Sequence, residues 1–75
     1  MSEPAVTLYS TDGCHLCELA AQQLNQLNVT YITVDIIDDP DLVSRYGITI
    51  PVVRKADSSE LNWPFEINQL ANFLE

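Results

Sequence analysis

The chain of 75 residues carries two cysteines, and they stand three positions apart in Cys14-His15-Leu16-Cys17. Two thiols at this spacing can exchange between dithiol and disulfide. One attacks a partner's disulfide, and the other attacks the mixed disulfide and releases the partner. A bridge between them closes a loop of only four residues. On the chain-entropy model that is worth under about 2 kcal/mol, so the pair is not there as a staple. The spacing alone is weak evidence, and the plainer reading is two small buried apolar side chains. Its position strengthens the chemical reading, because the motif falls where a strand-like run ends and a helical pattern begins. A thiolate at a helix N-terminus is stabilised by unpaired amides and by the positive end of the helix dipole. A second cysteine one turn on lies close to the first and is buried beneath the helix. Cys14 is therefore expected to be the nucleophile and Cys17 the resolving thiol.

The elements that must position this motif follow from periodicity. Residues 5–10 read as a strand, with Val6 and Leu8 opposite Thr7 and Tyr9, and Thr11-Asp12-Gly13 as a short loop. From Cys14 to about Asn28, Leu16, Leu19, Ala20, Leu24 and Leu27 fall at helical spacing. Residues 30–36 alternate Tyr31, Thr33 and Asp35 with Ile32, Val34 and Ile36, the pattern of a half-buried strand. Asp39-Pro40 is a helix start, and that helix carries Leu42, Val43 and Tyr46 and stops at Gly47. Residues 48–54 form a β-branched run broken by Pro51, followed by a turn at Asp57-Ser58-Ser59 and a short return strand over residues 60–62. Pro64 is expected to open a last helix through Ile67, Leu70, Phe73 and Leu74. The order is β-α-β-α-β-β-α. It predicts an α/β fold, a four-stranded mixed sheet flanked by three helices, two on one face and one on the other. Pro51 either opens an edge strand or carries a cis peptide bond that bends the chain into a site.

Composition narrows the partners. Three Lys and Arg against 11 Asp and Glu give a net charge of −8. Three basic residues cannot make the cationic face that nucleic acid requires, and the same balance disfavours anionic membranes. No signal peptide or membrane-spanning run is evident, so residues 1–75 are expected to form a single cytoplasmic domain, monomeric by default.

The element order, the Cys-x-x-Cys at the first helix and Thr49-Ile50-Pro51 before the third strand together resemble a glutaredoxin-like protein of the thioredoxin fold. The resemblance runs from Ala5 to Leu74. It implies that Pro51 is cis and packs beside Cys14, and that the backbone of Ile50 pairs in a strand-like manner with a bound peptide or glutathione. Thr49, Ile50 and Pro51 are thus the implied substrate-binding residues, and Cys14 and Cys17 the attacking and resolving thiols. No cofactor is implied, with glutathione a candidate co-substrate and a protein or small-molecule disulfide the implied partner. The chain departs from the family at three places. His15-Leu16 replaces Pro-Tyr inside the motif. Ser10-Thr11-Asp12-Gly13 lacks the lysine often found before it. Asn62-Trp63-Pro64-Phe65 replaces the glycine-rich turn that holds glutathione.

Beside the thiols, Asp12, Gly13 and His15 are candidate modulators. A charged His15 would favour the Cys14 thiolate, whereas Asp12 opposes it by like charge and is expected to cap the helix. Arg45, Arg54 and Lys55 are expected as solvated surface, with one available to a substrate carboxylate. Trp63 and Phe65 are expected as core beneath the last helix. Asp35, Asp38, Asp39 and Asp41 read as caps and solubilising charge. Two other functions compete with the oxidoreductase. One is a binding module with a vestigial motif and an acidic docking surface. The other is a dimer that pools four cysteines around zinc or a [2Fe–2S] cluster.

Overall fold

A computed structural model describes residues 6–74, so Ala5, the expected start of the first strand, lies outside the described residues. The chain runs β1 (Val6–Ser10), α1 (His15–Gln26), β2 (Tyr31–Asp35), a 3-10 turn (Ile36–Asp38), α2 (Pro40–Tyr46), β3 (Val52–Lys55), β4 (Glu60–Asn62) and α3 (Ile67–Leu74). The sheet order is β2-β1-β3-β4. β1 and β2 are parallel, as a β-α-β unit requires, and the other two pairings are antiparallel. This is the mixed sheet with three helices read from the sequence.

Alternation along β1 splits the core in two. Val6 and Leu8, joined by Val53 of β3, face Ala20 and Leu24 of α1 and Leu70 of α3, with Phe65 completing the cluster. Tyr9 and Val52 face the other way, onto Ile36 and Tyr46. Two helices thus cover one face and α2 covers the other. β2, at the sheet edge, does not keep the expected alternation. Ile32 is 47% exposed, because its edge position leaves it without a covering helix, and Ile36 leaves the strand to enter the 3-10 turn. The Asp35 carboxylate ends the strand by accepting from the Ile37 N–H at 3.0 Å.

The helix ends follow local chemistry. α1 closes with Asn28 in the left-handed region (φ 58°). There the Val29 N–H donates to the Leu24 carbonyl and the Asn28 N–H to that of Asn25. α2 starts as expected, with Asp39 accepting from the Asp41 N–H at 2.9 Å and Pro40 at the first position. α3 does not begin at Pro64. Phe65 turns into the core, and the helix starts at Ile67. Gln69 Oε1 reaches back to the Glu66 N–H at 3.0 Å, one half of a capping box. Trp63 packs against the core edge-on to Phe65, with centroids 5.0 Å apart, as expected of both.

Two basic residues depart from the solvated-surface expectation. Lys55 Nζ donates to the Phe73 carbonyl at 2.8 Å, near the C-terminal end of α3 where a cation is favoured. Arg54 donates to Ser58 Oγ at 3.0 Å and to the Tyr9 hydroxyl at 3.5 Å. Both are half-buried because β3 is an inner strand and their stems lie along the sheet.

Candidate redox site

Cys14 is the N-cap of α1, with extended backbone (φ −91°, ψ 103°). Its Sγ accepts from the Cys17 N–H at 3.1 Å, taking one of the amides that a helix leaves unpaired at its start. This corrects the expectation for Asp12, which lies two residues before the cap and is exposed. Gly13 at φ 77° turns the chain between them, a left-handed conformation that favours glycine. The sulfur, rather than a carboxylate, caps the helix.

Cys14 and Cys17 are joined as a disulfide with Cα atoms 5.2 Å apart. Cys17 is 5% exposed, packed beneath the helix, and Cys14 is half-buried. His15 and Leu16 between them are exposed. On the β2 side the pair borders an open cleft of about 230 Å³. Ser10, Asp12, Glu18 and Thr33 are among its lining residues. Glu18 and Thr33 had no signal in the sequence, because they reach the cleft only through the helix turn and the β1–β2 register.

On the β3 side stands the segment that the resemblance assigned to substrate. The Ile50–Pro51 bond is cis, and Pro51 immediately precedes β3; that strand lies inside the sheet between β1 and β4, so the edge-strand reading of this proline is corrected. Tyr9 pairs with Val52, which places Pro51 at the end of the sheet where the chain leaves β1 for Cys14. Pro51 is fully buried, and its carbonyl accepts from the Trp63 N–H at 3.1 Å. Thr49 and Ile50 are half-buried and held from behind. The Tyr46 carbonyl accepts from the Thr49 N–H (2.9 Å), the Ile50 N–H (3.1 Å) and Thr49 Oγ1 (3.3 Å). The Ile50 N–H is therefore committed within the chain.

Tyr46 was legible only as an apolar helix residue. Its ring stacks on Tyr9 with centroids 4.6 Å apart, and its hydroxyl donates to Glu60. That bond to a carboxylate, with burial second, raises the Tyr46 pKa above its ordinary value. Among the described residues no three or more His, Cys, Asp or Glu side chains are grouped to hold a metal ion. No described helix is long and apolar enough to cross a membrane.

Known proteins are similar to this chain. The family model described as Glutaredoxin-like domain (DUF836) matches residues 5–75. Protein XcR50 from X. campestris, solved by X-ray methods, is 42% identical with a TM-score of 0.89, over 93% of this chain and 95% of that one. The SPbeta prophage-derived thioredoxin-like protein YosR of Bacillus subtilis is 29% identical over 63 residues, 81% of this chain and 72% of YosR. A mutant of the thioredoxin-like protein BC3987, 23% identical with a TM-score of 0.72 over 93% of this chain and 99% of that one, shares the fold.

Proposed function

The chain belongs to the glutaredoxin-like domain family, and on that premise we propose that it is a thiol–disulfide oxidoreductase working through Cys14 and Cys17. The carrying observation is the Cys14–Cys17 disulfide at the start of α1, with Cys14 the more exposed residue and its Sγ accepting from the Cys17 N–H. An amide aimed at sulfur stabilises a thiolate more than a thiol, and so does the helix terminus.

In the reduced protein the Cys14 thiolate attacks a substrate disulfide. A Cys14–substrate mixed disulfide forms, the substrate S–S bond breaks, and one substrate thiolate leaves. Cys17, having given up its proton to solvent, then attacks Cys14 Sγ. The intramolecular disulfide forms and the second thiolate leaves, so two electrons pass from the protein to the substrate. Two equivalents of an external thiol, with glutathione the small-molecule candidate, return the pair to the dithiol and leave joined as their own disulfide. Thr49, Ile50 and Pro51 line the substrate's approach from the β3 side. With the Ile50 N–H held by the Tyr46 carbonyl, a strand-like partner pairs there through the Ile50 carbonyl. Asp12, Gly13 and His15 modulate the thiol, Gly13 by setting the turn. The reaction needs reduced thiols, which suits the cytoplasm.

The test is the pH dependence of alkylation at each cysteine, read by peptide mass spectrometry, together with two variants. Cys14 is expected to titrate well below the free value of about 8.5 and to react faster than Cys17. Cys14→Ser abolishes turnover, and Cys17→Ser accumulates mixed disulfide. Wild-type turnover in both single variants would overturn the assignment.

A further inference from the structure

The cleft beside the disulfide has a one-sided electrostatic character. Asp12 and Glu18 both line it, alongside the hydroxyl-bearing Ser10, Thr11 and Thr33, and no basic side chain does. The chain has three Lys and Arg residues, and each is engaged elsewhere. Arg54 is bonded to Tyr9 and Ser58, Lys55 to the Phe73 carbonyl, and Arg45 stacks over the Tyr46 ring. Among the described residues no Lys or Arg side chain lines the cleft with the two carboxylates, and the net charge of −8 adds to the field there.

Size limits what can enter. At about 230 Å³ the cleft falls below the roughly 300–1,000 Å³ of sites that enclose a small molecule. It has room for one side chain, and the rest of a larger ligand would lie outside it in solvent. Cys17 lies in its wall, so a group seated there is adjacent to the sulfur that releases the substrate.

Resting on the redox reading above, we infer that this site selects disulfides whose half-cystine is flanked by a cation, a Lys or Arg side chain in a peptide, which the cleft seats between Asp12 and Glu18. The flanking cation remains beside the disulfide through both exchange steps given above, whose bonds and electrons are unchanged. Anionic disulfides, oxidised glutathione among them, are disfavoured by the same field. Exposed charges at the mouth of a cleft act mainly on encounter, so the effect belongs in the second-order rate constant and weakens with salt.

The experiment measures the rate at which the reduced protein reacts with three disulfides of similar size. These are cystamine, a dication; bis(2-hydroxyethyl) disulfide, neutral; and 3,3′-dithiodipropionate, a dianion. Each rate is divided by that of dithiothreitol with the same disulfide, which removes differences in leaving-group chemistry. The normalised rate is expected to be about 10-fold or more higher for the dication than for the dianion at low ionic strength, shrinking as salt is added. Peptide disulfides with Lys or with Glu beside the cysteine are expected in the same order. Asp12→Asn combined with Glu18→Gln, conservative in shape at two exposed positions, is expected to remove most of the preference. Asp57→Asn, in the β3–β4 turn at the opposite end of the sheet, retains most of it. Equal normalised rates for the three disulfides would overturn the selectivity and leave the redox reading standing. The double substitution removes two charges and Asp57→Asn one, so a loss of preference per charge that is the same in both would assign it to net charge and overturn the cleft. No reaction with any disulfide would overturn both readings.

Discussion

At the scale of single residues, Tyr46 does what its place in a helical pattern did not announce. Its carbonyl holds Thr49 and Ile50, its ring lies on Tyr9, and its hydroxyl bonds Glu60 on β4. Tyr46→Phe removes the hydroxyl and is expected to cost about 1 kcal/mol at pH 7, the ordinary net worth of such a bond. The pH dependence has a definite sign. The folded-state pKa of Tyr46 is raised by Glu60, so the stabilisation is fully present below the unfolded value of about 10 and is lost as pH rises through the folded value. Urea denaturation of the two proteins should therefore differ at pH 7 and converge above pH 10. A difference unchanged at pH 11 would place the effect in packing rather than in the hydroxyl.

At the scale of elements, the two glycines of the chain serve different needs. Gly13 takes a positive φ in open space, so Gly13→Ala is expected to cost only the backbone term, about 1 kcal/mol. Gly47, which ends α2, was expected as a helix stop, and it is one. However, its φ of −53° is ordinary, and glycine is required there by proximity. A Cβ at that position would lie 2.5 Å from the Val43 carbonyl oxygen. Backbone must move to admit it, at a cost of about 1–3 kcal/mol, and the chain just beyond is the Thr49–Pro51 segment. Gly47→Ala is expected to destabilise more than Gly13→Ala in parallel denaturant titrations. The reverse order would mean that α2 unwinds freely at its end.

At the scale of the whole molecule, charge works against the fold. The structure measures 30 × 28 × 18 Å and the chain carries a net charge of −8. At 0.01 M salt the screening length is about 30 Å, so every charge feels every other. At 0.15 M it is about 8 Å, and only neighbours interact. Self-repulsion in the compact state is relieved over that range. The urea midpoint is expected to rise from 0.01 to 0.15 M sodium chloride; a fall would mean that favourable ion pairs outweigh the repulsion.

The sequence by itself determined the order of strands and helices, the Cys-x-x-Cys at a strand-to-helix junction, the Asp39-Pro40 start and the division of helices between faces. Those features rest on periodicity and on caps a few residues across, which the chain carries locally. Even some local features were missed: Cys14 caps α1 in place of Asp12 because Gly13 turns the chain, and Gln69 signals a helix start that Pro64 obscured. Only the tertiary structure decided the rest. Tyr46 meets Glu60 across 14 positions and Lys55 meets Phe73 across 18, and neither partner carries a mark of the other. Asp12, Glu18 and Thr33 come from a loop, a helix and an edge strand. Pattern reading places such residues on their own elements, whereas the packing of those elements brings them to one cleft beside the disulfide.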